Sequence, residues 1–255
     1  MTATFTGRAV AIIPTYNERD NLASIVRRLR AAVPGADLLI VDDNSPDGTG
    51  AEADRLAAAD SCVHVVHRPG KAGLGAAYIA GFRWALDQGY DAMIEMDADG
   101  SHQPEELPRL LDALESADLV IGSRYVTGGR TENWARSREM LSRGANTYAR
   151  LLLGIHVRDA TGGYRAYRST TLRKINLAEV VSQGYCFQID LALRAIRAGL
   201  SVAEVPITFV ERTHGSSKMN NAIVREALLR VTAWGVSGRL GWLRDRFHAD
   251  RGSGR

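Results

Sequence analysis

The sequence predicts an α/β protein in which a mostly parallel sheet is covered by helices on both faces. Short apolar runs alternate with amphipathic segments of helix length along the first half of the chain. The runs are apolar throughout, as in strands that are buried on both faces. With 255 residues, the chain is long enough for one large domain with a sizeable core.

The first half of the sequence supplies five strands and the helices between them. The first strand covers residues 8–13, and Pro14 ends it. Apolar residues at helical spacing predict a helix over 21–33, which Pro34 and Gly35 terminate. The other segments follow the same pattern, with strands at 38–41, 63–66, 92–96 and 119–122 and helices at 51–59, 76–88 and 105–115.

The second half of the sequence is less regular. It predicts helices over 138–153 and 187–198, a strand over 202–210, a strand or turn over 161–167 and a basic loop over 212–218. We expect one domain over residues 1–220 and a basic, amphipathic tail over 221–255. The tail is predicted either to lie on a membrane surface or to pack on the domain's own core.

Composition narrows the class of protein. The net charge of +3 is too small to indicate a nucleic-acid-binding protein. Cys62 and Cys186 are far apart and lack metal-ligand spacing, so we expect thiols in a reducing compartment. The sequence shows neither a signal peptide nor a window that is apolar enough to span a membrane, which predicts a cytoplasmic protein.

Two carboxylates with one residue between them follow the predicted strand 92–96. Strand alternation points Asp97 and Asp99 to the same side, where two like charges repel unless a cation lies between them. Oxygen ligands of this kind suit Mg²⁺ or Mn²⁺, which also bind substrate phosphates. The alternative is a cap for the helix that Pro104 opens, together with a solvated loop acid.

Polar residues also follow the other predicted strands. Tyr16 and Glu18 come after the first strand, Asp43 after the second and Lys71 after the third. In parallel sheets, ligands bind at the carboxyl ends of the strands, so these side chains are candidates for one site. The alternatives are an ordinary helix cap, an Asx turn after Asp43 and a solvated lysine.

The glycine-rich turn over 70–75 does not indicate a dinucleotide-binding or phosphate-loop motif. The dinucleotide fingerprint belongs after the first strand, which has no glycine turn here, and no Ser or Thr follows Lys71. Basic residues of the second half are candidate anion ligands or ordinary surface charges: Arg124, Arg138, Arg143, Arg165, Arg212 and Lys218. Arg212 and Lys218 flank a Gly-Ser-Ser loop that is suited to closing over a diphosphate.

Ordered motifs over about residues 10–219 resemble a known family. They read PTYNE, VDDNSPDGT, GLGAAYIAGF, MDADGSHQPE, GSRY, SRGAN, DATGGYRAY, GYCFQI and ERTHGSSKM. The sequence is similar to family-2 glycosyltransferases of the GT-A fold, and among them to the polyprenol-phosphate (dolichol-phosphate) mannose synthases. The resemblance makes residues 1–220 a GT-A catalytic domain. Some members of the family have C-terminal membrane-spanning segments, and this sequence shows no such segment.

The resemblance implies a role for residues at each strand end. It implies a guanosine site formed by Pro14, Tyr16, Glu18, Val41 and Asp43. It implies a diphosphate and sugar site formed by Lys71, Asp97, Ala98, Asp99, Arg212 and Lys218.

The same resemblance implies a metal site and an acceptor site. Asp97 and Asp99 would bind Mg²⁺ or Mn²⁺, with Ser101 as a weak third ligand where many relatives have Gln. Arg124, Arg138 and Ser142 would cradle the acceptor phosphate. Asp99, Arg124 and Arg138 are therefore the expected catalytic residues.

The resemblance implies transfer of mannose from GDP-mannose to a polyprenyl monophosphate, by a metal-dependent single displacement with inversion. A phosphate oxygen is already ionised near neutral pH, so we assign no general base. The alternatives are a UDP-glucose-dependent polyprenyl-phosphate glucosyltransferase and a non-catalytic nucleotide-sugar-binding subunit. We expect peripheral association with the inner face of the membrane, and a membrane-protein partner is left open.

Overall fold

A computed structural model describes residues 5–180, 185–211 and 228–236 of the chain. Within these ranges the strands are β1 (Ala9–Thr15), β2 (Asp37–Asp42), β3 (Val63–His67), β4 (Ala92–Glu95), β5 (Leu119–Ser123), β6 (Arg130–Glu132), β7 (Arg165–Arg168), β8 (Val202–Pro206) and β9 (Thr208–Val210). Seven of them form one sheet in the order β3-β2-β1-β4-β7-β5-β8. Only β7 runs antiparallel to its neighbours in that sheet. A parallel pair of β6 and β9 forms a second, small sheet.

The helices connect these strands across both faces of the sheet. They are α1 (Arg19–Ala32), α2 (Thr49–Ala59), α3 (Leu74–Asp87), α4 (Leu107–Leu114), α5 (Arg136–Leu153), α6 (Ser169–Lys174) and α7 (Tyr185–Arg197). Residues 228–236 are also helical. Short 3₁₀ turns occur at Pro104–Glu106 and Leu177–Glu179. The predicted α/β architecture, mostly parallel and covered on both faces, is confirmed.

The core consists of two apolar layers, one on each side of the sheet. Successive residues of β1 point to opposite layers, so Val10 and Ile12 belong to the layer that contains α3 and α7, whereas Ala11 and Ile13 belong to the layer that contains α1 and α4. Every residue of β1 is buried. This double burial is why the central strands are continuous apolar runs in the sequence.

One close contact in this core depends on a glycine. A Cβ on Gly81 of α3 would lie 2.5 Å from Cγ2 of Ile12, which is too close for two carbon atoms. The missing side chain therefore allows α3 to approach β1, and α3 begins beside the carboxyl ends of the strands.

The structure corrects three boundaries from the sequence. Pro14 does not end the first strand, which continues through β1 to Thr15. The predicted single strand over 202–210 is wrong, because the chain leaves the large sheet at Ile207. The Ile207 N–H donates to the Ser123 carbonyl of β5, while its own carbonyl accepts from the Arg130 N–H of β6. The predicted helix over 105–115 begins with a 3₁₀ turn, and its α-helical part starts at Leu107. Strand β6 and helix α6 are absent from the sequence prediction.

The described part of the tail is limited to residues 228–236, which pack beside α5. Val231 is buried in the core, and the Tyr148 hydroxyl of α5 forms a hydrogen bond with Thr232 Oγ1 at 2.7 Å. The division of the chain at residue 220 stays a prediction. Among the described residues, we find no helix with the length and apolar character that crossing a bilayer requires.

Candidate active site

The site lies at the carboxyl ends of β1, β2 and β4. Strand β1 pairs in parallel with both β2 and β4, with Thr15 opposite Asp42 in the register. The Met96 N–H, just beyond β4, donates to the Ile12 carbonyl of β1. Polar residues that follow these three strands are therefore brought to one edge of the sheet, as the sequence predicts.

The two adjacent acids after β2 have different partners. Asp42 accepts hydrogen bonds from the Thr15 hydroxyl (2.9 Å), the Ser45 hydroxyl (2.6 Å) and the Ser45 N–H (3.1 Å). This is the side-chain turn that the sequence left open, and it is formed by Asp42. Asp43 instead pairs with Arg68 at 2.5 Å. Burial raises the pKa of Asp43, while the Arg68 guanidinium acts in the opposite direction.

Tyr16 and Lys71 meet across the ends of β1 and β3. The Lys71 ammonium lies 4.1 Å from the centroid of the Tyr16 ring, within cation–π range. Glu18 stands immediately before α1, where its carboxylate accepts from the Asn21 amide at 2.8 Å and its N–H donates to the Thr49 hydroxyl at 3.0 Å. Pro14 and Val41 are buried in the adjacent strands. All five lie at the edge that the sequence predicts.

Hydrogen bonds hold the loop after β4 in place. The Tyr78 hydroxyl donates to Asp97 Oδ1 at 2.9 Å, and the Ser101 N–H donates to Asp99 Oδ1 at 3.0 Å. The Asp97 N–H donates to His102 Nδ1 at 3.1 Å. Burial lowers the pKa of His102, so the ring is neutral and its Nδ1 accepts this bond. The Asp97 carboxylate is thereby oriented from α3, and the Asp99 carboxylate from within the loop.

The donor set of this loop fits a divalent cation whose coordination is completed by substrate. Asp97 and Asp99 contribute carboxylate oxygens, and the intervening Ala98 is buried. The described residues contain no group of three His, Cys, Asp or Glu side chains that could enclose a metal. Mg²⁺ and Mn²⁺ commonly take one or two carboxylates together with phosphate oxygens and water. Ser101 is buried in the same loop, and its role as a third ligand stays a prediction.

Arg124 and Asp159 form a buried ion pair beyond β5. Arg124 donates from Nε (2.8 Å) and Nη2 (2.6 Å) to the two carboxylate oxygens of Asp159, and its Nη2 also donates to Thr161 (3.0 Å). Burial on its own would raise the pKa of Asp159, but the Arg124 guanidinium outweighs it and the pKa lies below its usual value. The guanidinium is therefore held in one orientation.

Arg138 and Ser142 lie next to this pair on α5. The Trp134 ring contacts both arginines: its centroid lies 5.4 Å from the Arg124 guanidinium and 4.2 Å from that of Arg138. Arg138 also forms an ion pair with Glu211. The Ser142 hydroxyl accepts a hydrogen bond from Tyr125 at 2.7 Å. The three residues predicted to bind the acceptor phosphate are thus brought to one place.

Arg165, a candidate anion ligand in the sequence, is instead part of a buried polar group beside β4. Arg165 is fully buried and donates to the carbonyls of Gly162, Gln188 and Ala160, so it is a structural residue. Burial raises the pKa of Glu95 to about 8. Glu95 Oε1 and both amide atoms of Gln188 have no hydrogen-bond partner in the described part of the chain.

Several site residues could not be identified from the sequence. Arg68 and Asp159 belong to the site through their ion pairs, and Trp134 through its position between two arginines. The sequence shows Arg68 as a basic residue after the third strand and Asp159 as the first residue of the motif DATGGYRAY. Neither pattern indicates which residue forms the ion pair. The predicted diphosphate ligands Arg212 and Lys218 lie outside the described residues.

The chain matches a known family and curated proteins. Residues 10–175 match the family model described as glycosyl transferase family 2. The chain is 61% identical over 237 residues to the polyprenol monophosphomannose synthase of Mycolicibacterium smegmatis, covering 92% of this chain and 89% of that protein. It is 57% identical over 239 residues to the undecaprenyl-phosphate mannosyltransferase of Micrococcus luteus, covering 94% and 98%.

Solved structures share the fold at low sequence identity. Glucosyl-3-phosphoglycerate synthase from Mycobacterium tuberculosis, in complex with Mn²⁺, UDP-glucose and phosphoglyceric acid, superimposes with a TM-score of 0.65 at 21% identity, covering 89% of this chain and 80% of that one. A mannosyltransferase from Pyrobaculum calidifontis, in complex with GDP-Man and Mn²⁺, gives 0.59 at 15% identity, covering 94% and 66%. At these identities the likeness is one of fold, and that fold is GT-A-like.

Proposed function

The chain belongs to glycosyl transferase family 2, and from that premise we propose that it transfers mannose from GDP-mannose to a polyprenyl monophosphate, releasing GDP. The observation that carries the proposal is the pair of relatives at 61% and 57% identity over nearly their whole length, both named for mannose transfer to a polyprenyl phosphate. The site supports the proposal, because the residues proposed for the nucleotide diphosphate and those proposed for the acceptor phosphate lie at one edge of the sheet.

The donor binds across the ends of β1, β2 and β4. Asp43, positioned beside Arg68, and Glu18 supply carboxylate acceptors for the N–H groups of guanine or the hydroxyls of ribose. Tyr16 and Lys71 supply a ring face and a cation at the same edge. The full proposed donor set comprises Pro14, Tyr16, Glu18, Val41, Asp43, Lys71, Asp97, Ala98, Asp99, Arg212 and Lys218.

Asp97 and Asp99 would hold Mg²⁺ or Mn²⁺ at the donor diphosphate, with Ser101 as a third ligand. When bound, the cation offsets the charge that builds up on the departing diphosphate. Tyr78 and the Ser101 N–H each orient one of the two carboxylates before any substrate arrives. This preorganisation avoids reorientation of the loop during the reaction.

Arg124, Arg138 and Ser142 bind the acceptor phosphate and aim one of its oxygens at the anomeric carbon of mannose. A bond forms between that oxygen and the anomeric carbon while the bond from this carbon to the diphosphate breaks, and GDP leaves with the electron pair. A single in-line displacement inverts the anomeric centre. The oxygen is already ionised, so the residues contribute positioning and charge rather than proton abstraction.

The acceptor's hydrocarbon chain requires a membrane surface, and α5 provides a suitable face. Met140 and Leu151 are 73% and 67% exposed on the helix that also carries Arg138 and Ser142. Exposed apolar side chains next to arginines are typical of helices that lie in the lipid interface. We name the exposed residues Met140, Leu141, Tyr148 and Leu151 the α5 patch. Its position next to the acceptor residues supports peripheral membrane association.

A transfer assay tests the proposed function. The full chain is incubated with a polyprenyl phosphate in detergent, Mn²⁺, and radiolabelled GDP-mannose or UDP-glucose, and the products are extracted into organic solvent. We expect label in the organic phase from GDP-mannose, and none after addition of EDTA. Label from UDP-glucose alone would contradict the proposed donor, and no label from either would contradict the proposed activity.

A further inference from the structure

The side chain of Gln188, in the first turns of α7, is an unusual buried amide. Only 4% of the residue is exposed, yet neither Oε1 nor Nε2 has a hydrogen-bond partner within the described ranges. An amide that is buried without partners destabilises a fold, so native proteins nearly always satisfy such groups. The Glu95 carboxyl lies near enough for the amide to act on its pKa, but no hydrogen bond of regular geometry joins the two side chains. The amide therefore has hydrogen-bonding capacity left for a ligand.

The Gln188 amide faces the open space beside Gly163. A Cβ on Gly163 would lie 3.8 Å from Gln188 Nε2, 3.9 Å from Asp97 Oδ2 and 3.6 Å from His102 Cε1. These are ordinary van der Waals distances, so the space is real but small. Gln188 and one of the two proposed metal-binding carboxylates thus border the same space.

The chemistry of the amide limits what the partner can be. Nε2 must donate and Oε1 must accept, so the partner needs both hydrogen-bond acceptors and donors. A phosphate dianion only accepts, whereas a hydroxyl does both. The sugar of a nucleotide sugar is attached directly to the diphosphate, which the proposed function places at Asp97. A hexose hydroxyl therefore meets both requirements, of chemistry and of position.

We propose that Gln188 hydrogen-bonds a hydroxyl group of the transferred hexose, in the space that Gly163 leaves open beside Asp97, and so contributes to donor sugar specificity. This inference rests on the proposed function, because it takes the donor to be a nucleotide sugar.

The surrounding contacts fix Gln188 in place. The fully buried Arg165 donates from Nη1 to the Gln188 carbonyl at 2.7 Å. The same guanidinium donates to the carbonyls of Gly162 and Ala160, each at 2.7 Å. Arg165 therefore joins α7 to the segment that contains Gly163, and the amide and the glycine keep a constant relative position.

The test compares GDP with GDP-mannose, which carries the sugar in place of the free terminal phosphate charge of GDP. Binding of each to the full chain is measured by titration calorimetry with saturating Mn²⁺. In the variant Gln188→Met, an apolar side chain of similar length replaces the amide. We expect GDP-mannose to bind at least about tenfold more weakly than to the wild type, since a buried hydroxyl loses its partner, with the affinity for GDP within about twofold.

A second variant tests the space without removing the amide. Gly163→Ala places a methyl group there without a steric clash in the free protein. We expect the same selective loss of GDP-mannose affinity. Gly35→Ala is the matched control, because a Cβ on Gly35 meets nothing within 4 Å. It should bind both ligands like the wild type.

The melting temperature of the ligand-free Gln188→Met variant shows whether the substitution disturbs the fold rather than the binding of the sugar. Since the amide has no partner among the described residues, its loss should not lower this temperature. Selective loss of GDP-mannose affinity with an unchanged or higher melting temperature supports the inference.

Equal GDP-mannose affinity of wild type and Gln188→Met would overturn the inference, and a water molecule would then occupy the space. Failure of the wild type to bind either ligand would refute the proposed function itself, and this inference with it.

Discussion

Asp159 binds Arg124 through both of its carboxylate oxygens, at 2.8 and 2.6 Å, and both side chains are buried. Arg124 is one of the two arginines that we propose to bind the acceptor phosphate. The ion pair holds its guanidinium in one orientation and offsets the cost of keeping a charge away from water. Asp159 is thus a positioning residue for the acceptor site.

Asp159→Asn should destabilise the protein strongly. Removing one charge of a buried pair leaves the other uncompensated, which costs about 3 kcal/mol in the free energy of unfolding. Urea unfolding monitored by circular dichroism measures this quantity. Glu139→Gln is the control, because the Glu139–Arg143 pair is exposed on α5 and should change stability by less than about 1 kcal/mol. Similar losses in both variants would contradict the assigned importance of the buried pair.

The contribution of Asp159 should depend on pH in a defined direction. Its pKa is lower in the folded state than in the unfolded state, near 3.9 for an ordinary Asp, so folding releases a proton around that pH. The stabilisation is therefore fully present above the unfolded-state pKa and is lost as pH falls through the folded-state value. The stability difference between wild type and Asp159→Asn should be constant from about pH 5 to 7 and shrink below about pH 4. A difference that grows on acidification would contradict this sign.

The central strands could be predicted from the sequence, while the outer ones could not. Strands β1 to β5 are continuous apolar runs because both their faces are buried, and their predicted bounds are within two residues of the observed ones. Strand β6 has three residues, none of them buried, and carries no periodic signal. Strand β7 has arginines at both of its ends, and the sequence predicts only a strand or turn there. Its place between β4 and β5 is set by tertiary pairing.

The proposed site likewise contains residues that the sequence predicts and residues that it does not. Tyr16, Asp43 and Asp97 could be predicted because parallel topology brings the ends of neighbouring strands together, whatever their separation in sequence. Asp159 lies 35 residues from Arg124, and no local spacing connects them. Gln188 was missed because an amide in a helical segment has no distinctive pattern. Its significance depends on the partners that are missing around it, which only the structure shows.

Asp99→Ala should abolish mannose transfer through loss of the metal. With one of the two proposed carboxylate ligands removed, we expect activity to fall by at least about a hundredfold. Initial rates over a Mn²⁺ titration measure the effect. Asp87→Ala is the control, since Asp87 is an exposed acid at the far end of α3 and should leave the rate unchanged. Chelation of the wild type should remove activity reversibly. Normal Asp99→Ala activity at limiting Mn²⁺ would refute the ligand assignment.

Gly81→Ala should destabilise the fold by overpacking. The new methyl group would lie 2.5 Å from the Ile12 side chain, so α3 or β1 must shift, at a cost of about 1–3 kcal/mol in the free energy of unfolding. Gly144→Ala is the matched control, because a Cβ at this exposed position of α5 meets nothing within 4 Å and should stabilise the helix by about 0.5–1 kcal/mol. The melting temperatures of the two variants, measured by thermal unfolding, test this difference. Equal melting temperatures would show that the α3–β1 contact can relax.

Acidic substitutions in the α5 patch should weaken membrane binding. In the double variant Met140→Glu, Leu151→Glu, two exposed apolar side chains are lost and two charges are added that anionic lipids repel. We expect flotation with vesicles that contain anionic lipid to fall at least about tenfold. Ala51→Glu with Ala58→Glu adds the same charge on α2, on the opposite face of the sheet, and should bind like the wild type. If both double variants float equally, α5 is not the docking face. If only the α5 variant is lost from the vesicles, the helix that carries Arg138 and Ser142 also sets the distance between the acceptor phosphate and the bilayer.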